Sequence, residues 1–137
     1  MKFLKYILLV LSLTALVGLT SCRKVSHNGK LDGQWQIRSI ENTETGVETS
    51  PDPELYICID LHILQLTGGP RLTANMTYDK DAESISCDFP YVKDEDVETQ
   101  LGTYGIFSNP VKMDIVKLDG KSLVIRTDKS IITCRRF

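Results

Sequence analysis

Cysteine, histidine and carboxylate side chains are the groups with which this chain could do chemistry, and their spacing is informative in three places. Tyr56, Cys58, Asp60 and His62 alternate along one stretch. In an extended strand that spacing points all four to one face, and Cys, Asp and His at i, i+2 and i+4 could hold a transition metal. The residues that alternate with them are Leu55, Ile57, Ile59, Leu61 and Ile63, an apolar face that must be the core. The polar face is therefore read as solvated, and no metal site is assigned. The densest acidic run, Asp94, Glu95, Asp96 and Glu98, is read as a solvated loop in preference to a weak calcium site. The two histidines, His27 and His62, stand in no recognisable serine or cysteine partner motif. No catalytic residue is assigned, no enzyme is expected, and nothing calls for a cofactor. The third place is Cys22, where the context defines the chemistry of the thiol.

Lys2 and Lys5 give the chain a positive start, and the stretch from Tyr6 to Val17 carries only Ser12 and Thr14 as polar residues. At about 12 residues it is shorter than the roughly 20 needed to cross a hydrocarbon core as a helix. It has the form of a cleaved export signal. The signal ends Leu19-Thr20-Ser21-Cys22, which resembles the bacterial lipobox. That resemblance implies a Cys22 thiol alkylated by a diacylglyceryl donor and a new N-terminus acylated after cleavage, an anchor that exceeds the two-signal requirement for stable membrane attachment. The expected division is a lipoprotein signal peptide over 1–21, a lipidated tether over 22–31, and a folded domain over 32–137. Arg23 stands where an Asp would retain an enterobacterial lipoprotein in the inner membrane, and no acidic run follows as in surface-exported lipoproteins. The expected place is the periplasmic face of the outer membrane, with the membrane itself as the first partner.

Removing residues 1–21 takes away Lys2 and Lys5 and no acids, leaving 14 Lys and Arg against 18 Asp and Glu, a net charge of about −4. A mildly acidic domain without a basic run argues against nucleic-acid binding. The length allows one domain with an adequate core. Of the four cysteines, three remain once Cys22 is acylated: Cys58, Cys87 and Cys134. An odd number leaves at least one free thiol or an intermolecular bond. C-x-x-C pairs are absent, which argues against structural zinc.

The elements that must position these residues are strands. Gly33 to Glu41 alternates, with Trp35, Ile37 and Ser39 on one face, and Leu55 to Leu66 is the longest strand expected. Gly68-Gly69-Pro70 reverses the chain. Leu72, Ala74, Met76 and Tyr78 define a third strand, and Ile85, Cys87 and Phe89 share a face of a fourth. Val92 to Gln100 reads as a loop or one or two helical turns, followed by a short fifth strand from Thr103 to Phe107. Val111, Met113 and Ile115 begin a sixth, Asp119-Gly120 marks a hairpin, Ser122 to Thr127 returns, and Ile131 to Phe137 ends the chain. About eight short antiparallel strands in succession predict an all-β, up-and-down barrel that removes its edges by closure, with an open barrel or a β-sandwich as the alternative.

Gly33-Gln34-Trp35 at the start of the first strand resembles the G-x-W motif of lipocalins, in which the tryptophan closes the bottom of the barrel. The polar stretch from Asn42 to Pro53 resembles the lid over a lipocalin mouth. The lipocalin arginine that packs across the tryptophan from the last strand is matched by Arg135 or Arg136, which lie on opposite faces of a strand. With its lipobox the chain resembles the small lipocalin-like lipoproteins of Bacteroidetes. Cys58, Cys87 and Cys134 would then sit on the second, fourth and last strands. Non-neighbouring strands lie about 10 Å apart, beyond disulfide reach, so no strand-to-strand disulfide is expected. The resemblance implies a small apolar or amphipathic ligand in the barrel. The other expectation is a filled barrel, with Met76, Tyr78, Phe89 and Met113 as fillers, acting as a protein-interaction or inhibitor module.

Overall fold

In a computed structural model of the chain, residues 1–7, 10 and 26–137 are described. Cys22 and the rest of the expected cleavage region lie outside them. Strands follow one another as β1 (Gly33–Asn42), β2 (Glu48–Thr49), β3 (Leu55–Asp60), β4 (Ile63–Thr67), β5 (Leu72–Asp79), β6 (Ser84–Asp88), β7 (Val111–Leu118), β8 (Ser122–Arg126) and β9 (Ser130–Arg136). From β3 onward each strand pairs with the next, β3 also pairs with β1, and β9 returns to β1. The result is a closed antiparallel barrel of eight strands, with β2 as a two-residue addition on the far half of β1. Period two explains the packing: Leu55, Ile57 and Ile59 of β3, Leu72, Ala74 and Met76 of β5, and Leu123 and Ile125 of β8 all turn inward.

Two sequence expectations give way here, and the count of eight survives because their errors cancel. Leu55–Leu66 is not one strand but a hairpin, turning at Leu61-His62 with Asp60 opposite Ile63. The two turn residues reset the alternation. Leu64 and Leu66 are buried, while Leu61 and Ile63, expected in the core, are exposed. The Tyr56–His62 alternation is broken with it, because the strand ends at Asp60. The fifth strand expected over Thr103–Phe107 is absent. A 3-10 turn (Asp94–Asp96), a π turn (Val97–Leu101) and a second 3-10 turn (Gly102–Tyr104) lead instead to Gly105, which is left-handed at φ 82°. A Cβ there would stand 2.8 Å from Ile40 Cγ2, so only glycine fits.

A bulge at Arg38 makes a smaller correction. Ile37 pairs with Cys134 but Ser39 with Thr133, so one extra residue of β1 passes unpaired. The inward set beyond it continues at Ile40, which packs on the core, and not at Ser39. The lid-like stretch Asn42–Pro53 is partly tied down, since β2 pairs with Ile40 and Glu41.

Candidate functional site

β1 runs from one end of the barrel to the other, so its two ends define the two places where a site could form. At its start, Trp35 is fully buried and its indole N–H donates to Leu31 O at 2.9 Å. Arg136 shares the inward parity of Cys134 on β9, and its guanidinium lies 4.2 Å from the centre of the Trp35 ring. The same guanidinium donates to Gly120 O at 2.8 Å, to Asp32 O at 2.9 Å and to Lys30 O. Arg135 points outward to Gln36 Oε1 at 3.3 Å. Of the two arginines left open by the sequence, Arg136 therefore covers the tryptophan. Gly33 is part of the same arrangement: at φ 134° it leaves room where a Cβ would strike Arg136 Nη1.

Residues 26–31, assigned by sequence to a tether, pack on this closed end. Ser26 Oγ donates to Asp32 Oδ2 at 2.8 Å, and Asn28 donates to the same carboxylate from its backbone N at 3.0 Å and from Nδ2 at 2.6 Å. Asn28 Nδ2 also reaches Leu61 O at 2.8 Å, joining this segment to the β3–β4 turn. Burial alone would raise the Asp32 pKa. The hydrogen bonds from Asn28 and Ser26, with His27 nearby, outweigh it and hold the carboxyl below its ordinary value.

The other end is the mouth, and the segment from Phe89 to Pro110 fills it. Phe89, Leu101, Tyr104 and Ile106 are each no more than 1% exposed. The Tyr104 hydroxyl donates to Pro70 O at 2.6 Å and accepts from Gly69 N at 3.2 Å. Ser130 Oγ donates to Gly105 O. Below this plug Trp35, Leu64, Leu66, Met113, Leu123 and Ile132 are fully buried. A chamber large enough for a ligand would admit water, and its lining would be accessible. These side chains have no accessible surface and form one cluster with the plug residues, so the interior is a packed core. Of the fillers named from sequence, Met76, Phe89 and Met113 are buried and Tyr78 is half-buried.

The open cavities lie outside. A groove of about 650 Å³ crosses the outer face of β5, β6 and β7, between His62, Asn75, Thr77, Ser86, Asp88 and Lys112. Two clefts of about 570 and 600 Å³ flank the closed end, one beside Lys30, Tyr78, Lys80 and Leu118, the other beside Ser26, Asp32, Asp60 and Leu61.

The remaining candidates are dispersed. Tyr56 donates to Glu54 at 2.8 Å, Cys58 is half-buried on the outer face, and His62 stacks edge-on against His27 at 4.9 Å. Among the described residues no cluster of three or more His, Cys, Asp or Glu is arranged to hold a metal. Asp94, Glu95 and Glu98 are exposed on the mouth segment. Cys58, Cys87 and Cys134 are free thiols, and burial pushes the last two up to about 12. Sequence reasoning missed the mouth plug. Its signal was the Val97, Leu101, Tyr104 spacing of four and three, an apolar stripe of helical period within an acidic stretch.

A closed up-and-down barrel of eight strands, opened by a buried tryptophan beneath an arginine of the last strand, is a lipocalin-like architecture. The chain belongs to the family described as the lipocalin-like domain, whose model matches residues 17–137. It is similar in fold to a lipocalin-like protein from Bacteroides uniformis, with a TM-score of 0.64 at 19% identity over 80% of this chain and all of that one. An uncharacterized protein from Bacteroides eggerthii is similar with a TM-score of 0.57 at 11% identity, over 77% of this chain and 98% of that one. No curated protein matches the sequence.

Proposed function

We propose that this protein is a lipid-anchored, non-enzymatic binding module of the cell envelope that works through the outside of a filled barrel. The observation that carries this reading is the interior: from Trp35 at the closed end to Tyr104 at the mouth, the space a lipocalin ligand would take is occupied by the chain's own side chains. Binding then falls to the loops, the clefts and the outer groove. The anchor is inferred from Leu19-Thr20-Ser21-Cys22 after a short apolar core, and the periplasmic face of the outer membrane from Arg23 and the lack of an acidic run. The experiment is crosslinking in intact cells with a photoreactive residue at Thr77 in the outer groove and another at Tyr91, 91% exposed on the mouth segment. A discrete protein adduct at either position supports the reading. Its absence at both, with a bound small molecule in the purified protein, overturns it.

Family membership favours a second reading, a small apolar or amphipathic ligand inside the barrel. It requires the plug to leave, and the plug's polar ties to the barrel wall are few: Tyr104 to Gly69 and Pro70, and Ser130 to Gly105. Native mass spectrometry of the full chain separates the two. A co-purifying apolar molecule of constant mass supports the ligand, and its absence together with an unchanged Tm in added fatty acid supports the filled barrel.

A further inference from the structure

The free part of the tether is much shorter than the sequence suggests, and this orients the barrel. Ser26 is already bonded to Asp32, and Asn28 to Asp32 and Leu61. Only four residue steps separate Cys22 from Ser26, a reach of at most about 14 Å at 3.3–3.6 Å per residue. If Cys22 carries lipid, the closed end is held against the membrane, while the far end of β1, a strand of 10 residues tilted as barrel strands are, stands roughly 23 Å further out.

The closed end carries a feature that is costly in water. Leu61 sits at the tip of the tight β3–β4 turn with φ 54°, a left-handed conformation that favours glycine, asparagine or aspartate. It is 53% exposed and Ile63, two residues on, is 51% exposed, so about half of this apolar tip stands in solvent. The tip is bonded through Leu61 O to Asn28, on the segment that leads to Cys22. Beside it, the 570 Å³ cleft places Lys30 and Lys80 next to the apolar surfaces of Tyr78 and Leu118. Among the described residues neither lysine is ion-paired; the ion pair at this end is Lys117 with Asp119 at 3.8 Å. Asp79, Asp81, Glu83 and Asp119 share the end, so its charges are mixed and the apolar tip, with the leash, must supply the attachment.

We propose that the closed end is a membrane-docking surface. It seats the Leu61–Ile63 tip at the boundary between headgroups and acyl chains, offers Lys30 and Lys80 to lipid phosphates, and turns the mouth, β2 and the plug away from the bilayer. The docking rests on the lipidation of Cys22 proposed above.

The test uses the full chain purified from bacterial membranes with Cys58→Ser, which removes the half-exposed thiol. A fluorophore is placed at the closed end through Asp81→Cys or at the mouth end through Glu44→Cys. The protein is reconstituted in phosphatidylethanolamine–phosphatidylglycerol vesicles containing lipid with a headgroup nitroxide. Mass spectrometry of the N-terminal peptide reads the lipid on Cys22. With the lipid present, quenching at position 81 should exceed that at 44 by at least threefold; equal or inverted quenching overturns the docking alone. An unlipidated Cys22 overturns the anchor and the docking with it. Leu61→Asp with Ile63→Asp, added to the chain labelled at 81, should at least halve the quenching, and unchanged quenching overturns insertion of the tip.

Discussion

Truncating Leu101 to alanine asks whether the mouth segment is packed into the barrel or merely lies over it. Leu101 has no exposed surface and lies in the π turn between Val97 and Tyr104. The change removes three carbons, a transfer loss of about 2.4 kcal/mol at about 0.8 kcal/mol per buried methylene. Each cubic ångström of void left unfilled adds about 24 cal/mol, and truncations of this kind cost about 2–5 kcal/mol in all. The neighbours Phe89, Ile106 and Tyr104 are held by their own packing and by the Tyr104 hydrogen bonds, so the site collapses little and about 3–4 kcal/mol is expected. Urea unfolding of the two proteins, followed by Trp35 fluorescence, measures it. The void should also take up benzene, raising the Tm of the variant and leaving the parent unchanged. A cost below about 1 kcal/mol would mean that Leu101 packs against nothing and that the mouth is not filled. Equal stabilisation of both proteins by benzene would show an internal chamber already present.

Other expectations follow from the closed end and the thiols. Arg136→Ala should cost about 2 kcal/mol, because it loses the Trp35 face and leaves three carbonyls without their donor, while Arg135→Ala should cost under about 0.5 kcal/mol; chemical denaturation of both variants is the check. A thiol reagent at pH 8 should modify Cys58 in the native protein and reach Cys87 and Cys134 only on unfolding, as peptide mapping would show. Since burial raises those two thiols to about 12, their ionisation favours the unfolded chain. The thiol contribution to stability should be level below an unfolded thiol pKa of about 8.5 and fall as pH rises from there towards 12, a slope that Cys87→Ala with Cys134→Ala would flatten. Leu61→Gly should stabilise the protein by about 0.5–1 kcal/mol through relief of the left-handed conformation; a loss of stability would mean that the leucine packs in the free protein.

The barrel was legible in the sequence because period-two alternation is a local property of each strand. Trp35, Ile57, Ala74, Met76, Ile85 and Met113 all sit on the faces their alternation assigns. The errors arise where alternation is ambiguous. Leu55–Leu66 satisfies the strand pattern over its first part, and nothing local shows that Leu61-His62 reverses the chain, since leucine is a poor turn residue. Val92 to Gln100 reads as a loop or a helical turn or two because its acids are the most visible residues, and Thr103 to Phe107 reads as a separate strand, so the stripe of Val97, Leu101 and Tyr104 that joins the two is hidden. The choice between Arg135 and Arg136 could not be made from parity alone, because it requires knowing which face of β9 turns into the barrel.

Taken alone, the sequence determined the fold class, an all-β domain with a G-x-W start, and it supplies the lipobox-like Leu19-Thr20-Ser21-Cys22 on which the proposed anchor rests. Those features depend on residue types and short spacings, which carry their physics locally. The tertiary structure decided what the barrel holds and how it is presented. Whether an interior is a chamber or a core depends on where side chains from all eight strands and the mouth segment meet, and no local pattern contains that sum. The same holds for residues 26–31, which are tied to the closed end by Ser26 on Asp32 and by Asn28 finding Leu61 across 33 residues of chain.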